Sequence, residues 1–257
     1  MVTACSGVSS EEPGPPANFE KSQALVTWIG DGDTIDVEWD DGSSTTVRLI
    51  ATNSPDQDEC YADDALDHLI DTLQARTVTV EDFGEDQFGR TLAHVFEGDR
   101  HINLEMVSMG LSLASTPRDD DPYGRAILQA EDDAHAQGVG LWSATACGSG
   151  PVPDVDFEVS GSVINPAGPD DEVLDAEMVE IRNGGPRDIS LAGWILRDES
   201  TRNRFRFGTL VLGPGESWVV SSADPGWEPG ESSVWNNDGD MALLQLPDGT
   251  VVARWRY

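Results

Sequence analysis

The sequence predicts two domains in tandem: an α+β closed β-barrel carrying three helices, then an all-β antiparallel sandwich. Three observations predict this. Residues 20–147 hold five short strand-type segments with helical periodicity set among and after them. A Gly-, Ser- and Pro-rich stretch, GSGPVPD at 148–154, then interrupts the pattern as linkers do. Residues 156–257 return to short β-type runs separated by Gly-Pro and Asp-Gly turns. The expected division is a tether at 1–19, a barrel at 20–147, a linker at 148–155 and a sandwich at 156–257.

In the first domain the strand segments are ALVTWI (24–29), TIDVEW (34–39), STTVRLIAT (44–52), RTVTVEDF (76–83) and RTLAHVFE (90–97). Gly-Asp-Gly-Asp at 30–33, Asp-Asp-Gly at 40–42 and Phe88-Gly89 supply the turns. Between the third and fourth strands, Ala62, Ala65, Leu66, Leu69, Ile70 and Leu73 recur at helical spacing, with Asp63, Asp64, Asp67 and Asp71 outward. Further helices are expected near 102–110 and 124–137, the latter closed by Gly138. Five strands with helices inserted and appended is the pattern of an OB-type barrel. In the second domain, seven short strands at regular spacing read as a sandwich.

The formal net charge is -33 in 257 residues, and Lys21 is the one lysine. Residues 20–148 carry 27 acids against 7 bases, and 149–257 carry 19 against 8. Neither half is a basic nucleic-acid clamp of the usual kind. Such a surface suits a protein working in salt or outside the cell. No run of about twenty apolar residues is present to span a bilayer as a helix. Val2-Thr3-Ala4-Cys5 resembles a bacterial lipobox, followed by a Ser-, Glu- and Pro-rich arm. The expectation is lipidation of Cys5, membrane anchoring through it and an extracellular or cell-surface location; the other reading is a chance match. Cys60 and Cys147 flank the first domain and pair as a disulfide or remain two buried thiols.

Chemistry concentrates in the barrel. Asp31 and Asp33 lie in a Gly-punctuated turn after an apolar strand, and the third strand ends at Asn53-Ser54-Pro55-Asp56. Barrel closure can bring two such strand ends together as hard oxygen ligands for Ca²⁺, or less readily Mg²⁺. Alone, Asp-Gly-Asp-Thr is a common turn composition. Arg48 adds weight, because an arginine inside an apolar strand needs a specific partner. A fixed guanidinium also grips phosphate oxygens through paired hydrogen bonds. Arg90 follows the turn Asp86-Gln87-Phe88-Gly89. Two arginines, a divalent cation and a carboxylate are the parts that attack a phosphodiester.

Gly-Asp-Gly-Asp-Thr at 30–34, Val-Arg-Leu-Ile-Ala-Thr-Asn-Ser-Pro-Asp at 47–56 and Asp-Gln-Phe-Gly-Arg at 86–90 occur in order. Ile102-Asn103-Leu104, Met109-Gly110-Leu111 and Gly140-Leu141-Trp142-Ser143 follow. With these motifs, residues 24–143 resemble the staphylococcal-nuclease (thermonuclease) family. The resemblance implies a Ca²⁺-dependent endonuclease of DNA and RNA on an OB barrel; a monomer is expected. It implies Asp33, Asn53 and Ser54 as metal ligands with Asp31 in support, Arg48 and Arg90 as phosphate-gripping residues and Asp56 as the base. Asn53 stands where the best-known members carry Asp, and Asp56 where the family carries Glu; Asp58 or Glu59 could substitute out of register. Phe88 stacks on a base or enters the core. A catalytically weakened barrel kept as a binding or scaffold module is the alternative.

Glu177–Asn183, Leu191–Asp198, Leu212-Gly-Pro-Gly215 and Trp235-Asn-Asn-Asp-Gly-Asp240, followed by Pro247-Asp-Gly249, resemble the lamin-tail domain, an immunoglobulin-like sandwich. Trp194 and Trp235 would plug its core. Arg202, Arg204 and Arg206 alternate along one strand, as an anion patch or a solvated edge. His68, His94, His101 and His135 are too scattered to make a metal site, and Asp119-Asp120-Asp121 reads as a solvated loop.

Overall fold

The computed structural model describes residues 20–115, 117–148, 157–163, 177–200, 202–228, 234–235 and 239–257. Cys5, the tether and all but the first residue of the linker expected at 148–155 lie outside the described residues. In chain order the first half is β1 (Glu20–Ile29), β2 (Thr34–Trp39), β3 (Ser44–Leu49), β4 (Thr52–Asn53), α1 (Ala62–Leu73), β5 (Thr77–Glu85), β6 (Thr91–Glu97), β7 (Arg100–His101), α2 (Ile102–Ser108), β8 (Leu113–Ala114) and α3 (Gly124–Gln137).

The main sheet runs β3-β2-β1-β5-β6-β7, and a parallel β3–β6 pairing closes five of these strands into a barrel. Closure works because alternate residues of each strand are apolar. Val26, Ile35, Val37, Val47, Leu49, Val80 and Val95 meet inside, and α1 caps them with Ala65, Leu69 and Leu73. The expected third strand of 44–52 is split. Ala51 adopts φ 59°, a left-handed turn that bends the chain off the barrel, and Thr52–Asn53 pairs instead with β8. Asn103, fully buried, secures this bend: its amide donates to Ile50 O at 2.9 Å and Ala93 O at 3.1 Å, while its oxygen accepts Val95 N at 2.9 Å.

The second half comprises β9 (Phe157–Val163), β10 (Met178–Asn183), β11 (Ile189–Ser190), β12 (Ile195–Arg197), β13 (Arg204–Arg206), β14 (Val211–Leu212), β15 (Ser217–Ser221), β16 (Trp227–Glu228), β17 (Met241–Gln245) and β18 (Val251–Arg256). The sheets β15-β10-β9 and β16-β13-β12-β17-β18 share one apolar core. Trp194 and Trp235 are buried in it, as expected. Arg204 and Arg206 are not on a free edge: β13 lies between β12 and β16.

The two halves are joined by a mixed apolar and ionic seam. Leu113, Ala134, Leu141 and Trp142 of the first half pack with Met241 and Leu243 of the second. Glu131 is buried there and accepts Ala114 N at 2.8 Å, Arg254 at 2.9 Å and Arg256 at 3.0 Å. A buried carboxylate with three donors is stable where an unpaired one would not be. Cys60 and Cys147 form a disulfide, and Gly249 of the second half lies so close that an added Cβ would sit 3.2 Å from Cys60 Cβ.

Candidate active site

The antiparallel register of β2 and β3 sets Arg48 opposite Thr34, one residue from Asp33. Arg48 Nη2 lies 2.9 Å from Asp33 Oδ2, with both side chains largely buried. Arg48 also donates to Leu49 O at 2.7 Å and to Asn53 Oδ1 at 3.2 Å. Asp33 Oδ2 further accepts Ser54 N at 2.8 Å, and its Oδ1 accepts Thr34 Oγ1 at 3.1 Å. Asp31 caps the turn by accepting Asp33 N at 2.9 Å. Gly32 is required for this close approach, because an added Cβ would meet Ala65 Cβ at 2.6 Å and Ser54 Cβ at 2.7 Å.

Asp33, Arg48, Asn53 and Ser54 therefore converge, with Asp31 beside them. Burial is the main influence on Asp33 and pushes its carboxyl up to about 6; Arg48 opposes the rise and Asp31 adds to it. The oxygen-only donors fit a hard cation. Ser54 Oγ strengthens that fit, being a buried oxygen without a hydrogen-bond partner. Among the described residues no group of three or more His, Cys, Asp or Glu side chains is placed to hold an ion, so the set combines at most two carboxylates with neutral oxygens.

Arg90 and Asp56 make no hydrogen bond or ion pair with that group among the described residues. The parallel β3–β6 register pairs Val47 with Thr91, which brings the start of β6 beside Arg48. Arg90 Nε is held by Asp86 Oδ2 at 2.7 Å, and its guanidinium lies 5.5 Å from the centroid of Phe88. Phe88 is 68% exposed, which rules out the core reading. Asp56 is exposed, and its loop is pinned by Glu59, whose Oε2 accepts Asp56 N at 2.8 Å. Glu59 thus serves this loop structurally and also pairs with Arg204 of the second half.

Two features escape sequence reading. Asn53 Nδ2 donates across the seam to Glu199 O, which orients the amide with its oxygen toward Arg48. Two of the histidines meet without making a metal site among the described residues: His101 Nε2 lies 2.9 Å from His94 Nδ1, and His94 Nε2 lies 3.0 Å from Asp121 Oδ1. The Asp121 side chain is buried in that chain of contacts rather than solvated. His68 pairs with Glu105 at 2.9 Å.

Residues 46–144 match the family model described as Staphylococcal nuclease homologue, and residues 157–257 match Lamin Tail Domain. An "Uncharacterized endonuclease" of Haemophilus influenzae is 34% identical over 124 residues, covering 48% of this chain and 68% of that one. The chain belongs to the staphylococcal nuclease homologue family. A "Thermonuclease" of Staphylococcus intermedius is 32% identical over 126 residues, 46% of this chain and 74% of its own. "Protein ParB" of Escherichia coli is 33% identical over 154 residues, 56% and 84% respectively. The nuclease family model begins at residue 46, so it takes in Arg48, Asn53 and Arg90, and it ends before the lamin-tail match begins.

Proposed function

We propose that this member of the nuclease family is an endonuclease that hydrolyses DNA and RNA with Ca²⁺, is exported and is held at the cell surface through Cys5. The observation that carries the catalytic reading is the buried Arg48–Asp33 pair with the Asn53 oxygen turned onto it. Asp33, Asn53 and Ser54, supported by Asp31, would hold the ion, which supplies positive charge against the phosphate when bound. Arg48 and Arg90 would grip non-bridging phosphate oxygens and stabilise the charge that grows on them. Asp56, exposed to solvent, would take a proton from the attacking water as its oxygen bonds to phosphorus and the ester P–O bond opposite breaks. Arg90 would sit toward the departing oxygen, and Phe88 would offer a face for a base to stack on.

The lamin-tail domain takes a positioning role in this reading. Its Glu199 carbonyl fixes the Asn53 amide, and its Arg204 holds Glu59 on the Asp56 loop. The disulfide supports export, because such bonds persist in oxidising compartments. A second reading, a weakened barrel that binds without cutting, is favoured by the exposure of Asp56 and its short side chain. Incubating the purified chain with plasmid and with RNA, in Ca²⁺ or chelator, separates the two. Metal-dependent cutting lost in Arg48→Ala supports the nuclease; no cutting at any salt concentration leaves the binding module.

A further inference from the structure

Where the two halves meet, a cavity of ≈ 170 Å³ opens beside Pro55 and Cys60. Arg197, Arg204 and Arg206 line it from the second half. The β12–β13 register places Arg197 directly opposite Arg204 and Arg206 opposite Ile195, so the three guanidiniums share one face of the sheet. Like charges directly across a strand pair repel. Arg197 is only 4% exposed, and its Nε and Nη1 reach no hydrogen-bond acceptor among the described residues. The carboxylate oxygen nearest to it in the ion pairs, Glu59 Oε1, is 3.8 Å from Nη1 and is shared with Arg204.

An unmet guanidinium is costly to bury, since each lost donor carries a desolvation penalty. Glu59, and after it Asp198 and Asp56, offset part of it, but Glu59 Oε2 is occupied by Asp56 N. Asp58 and Asp248 also line the cavity. Asp248 Oδ1 accepts Thr250 N at 3.0 Å, and its Oδ2 is a buried oxygen of the same wall. What the arrangement lacks is a compact acceptor with several oxygens that can bridge Arg197 and its strand neighbours. Arg206, exposed at the mouth and bonded only loosely to Gly193 O at 3.5 Å, is placed to close over such a group.

We propose that this cavity is an oxyanion site that takes a phosphate group, with Arg197 as its buried donor and Arg206 at its entrance. The group is either free orthophosphate or the terminal phosphate of a nucleic-acid strand, which present the same oxygens. The cavity lining includes neither Arg48 nor Asp33, though Pro55 adjoins Ser54 and Asp56, and phosphate binding there does not depend on cleavage.

The test uses the full chain in chelator. Calorimetric titration with orthophosphate should show one saturable site at millimolar concentration or below, with a rise in melting temperature that follows occupancy. Arg197→Lys and Arg206→Ala should each weaken binding by about tenfold, because the planar paired donors are lost. If Arg197→Lys does not fold, the exposed Arg206→Ala decides. An Arg48→Ala/Arg90→Ala variant should bind phosphate as well as the parent. Short oligonucleotides with and without a 5′-phosphate separate the sources: phosphate-dependent oligonucleotide binding that orthophosphate displaces indicates a strand end, and orthophosphate binding alone indicates the free ion. Absence of saturable phosphate binding, or binding abolished at Arg48 and Arg90 yet untouched at Arg206, would overturn the assignment.

Discussion

Replacing Arg48 by alanine tests the site where its chemistry and its stability diverge. The Asp33 side chain is 7% exposed and that of Arg48 15%, so the variant leaves a carboxylate buried without its counter-ion. Breaking a buried pair from one side costs about 3–5 kcal/mol. Asp33 can escape in part by taking a proton, and losing Arg48, which opposes the rise caused by burial, pushes its carboxyl above about 6, so the difference from the parent should widen as pH rises above about 6. Arg90 provides the contrast. Its pair with Asp86 is 33% exposed on the arginine side, and exposed pairs contribute less than about 1 kcal/mol. Both arginines should lose about 10²–10³-fold in cutting rate, as loss of one charge-stabilising donor does. Urea unfolding would then show Arg48→Ala strongly destabilised, Arg90→Ala near the parent, and Asp33→Asn/Arg48→Ala recovering most of the loss because no buried charge remains. Equal stability of Arg48→Ala and the parent, or a double variant no better than the single, would refute the argument.

Three further outcomes follow from the geometry. Asn53→Asp adds a charge beside Arg48 but removes the donor to Glu199 O, so calorimetry should find Ca²⁺ binding improved less than tenfold, while hydrogen exchange across residues 53–59 quickens; a larger gain in affinity with unchanged exchange would remove the bracing role. Opening the Cys60–Cys147 bridge, which spans 87 residues, should lower stability by about 4–5 kcal/mol in the chain-entropy model, read by denaturant midpoints of the double serine variant. Burial, then the His94 charge, lowers His101 to about 3 from 6.5, so the imidazole is neutral when folded and protonated when unfolded at mildly acid pH. Its contribution is whole above 6.5 and is lost as pH falls toward about 3, by up to about 1.4 kcal/mol per pH unit. His101→Gln should therefore show a shallower acid loss of stability than the parent, and matching slopes would contradict that account.

Local pattern made much of the architecture legible. The helical recurrence from Ala62 to Leu73 and the alternation in Thr34–Trp39 specify their elements because each side chain's direction follows from its own backbone period. The convergence of Asp33, Arg48 and Asn53 could also be anticipated, since a strand end and a turn must meet when the barrel closes. Neither the split of the third strand at Ala51 nor the burial of Asp121 beside His94 could be read that way. Both depend on partners distant in the chain, Leu113–Ala114 for the split and His94 for Asp121.

By itself, then, the sequence determined the fold class of each half and singled out the side chains proposed to carry the chemistry, because periodicity, turn composition and the rarity of a cation in an apolar strand are local properties. Only the tertiary structure decided that the lamin-tail half abuts the segment from Asn53 to Glu59, with Glu199 on Asn53 and Arg204 on Glu59. Those contacts join residues 146 and 145 positions apart. Their existence depends on how two finished surfaces fit, a property that no local stretch of chain encodes.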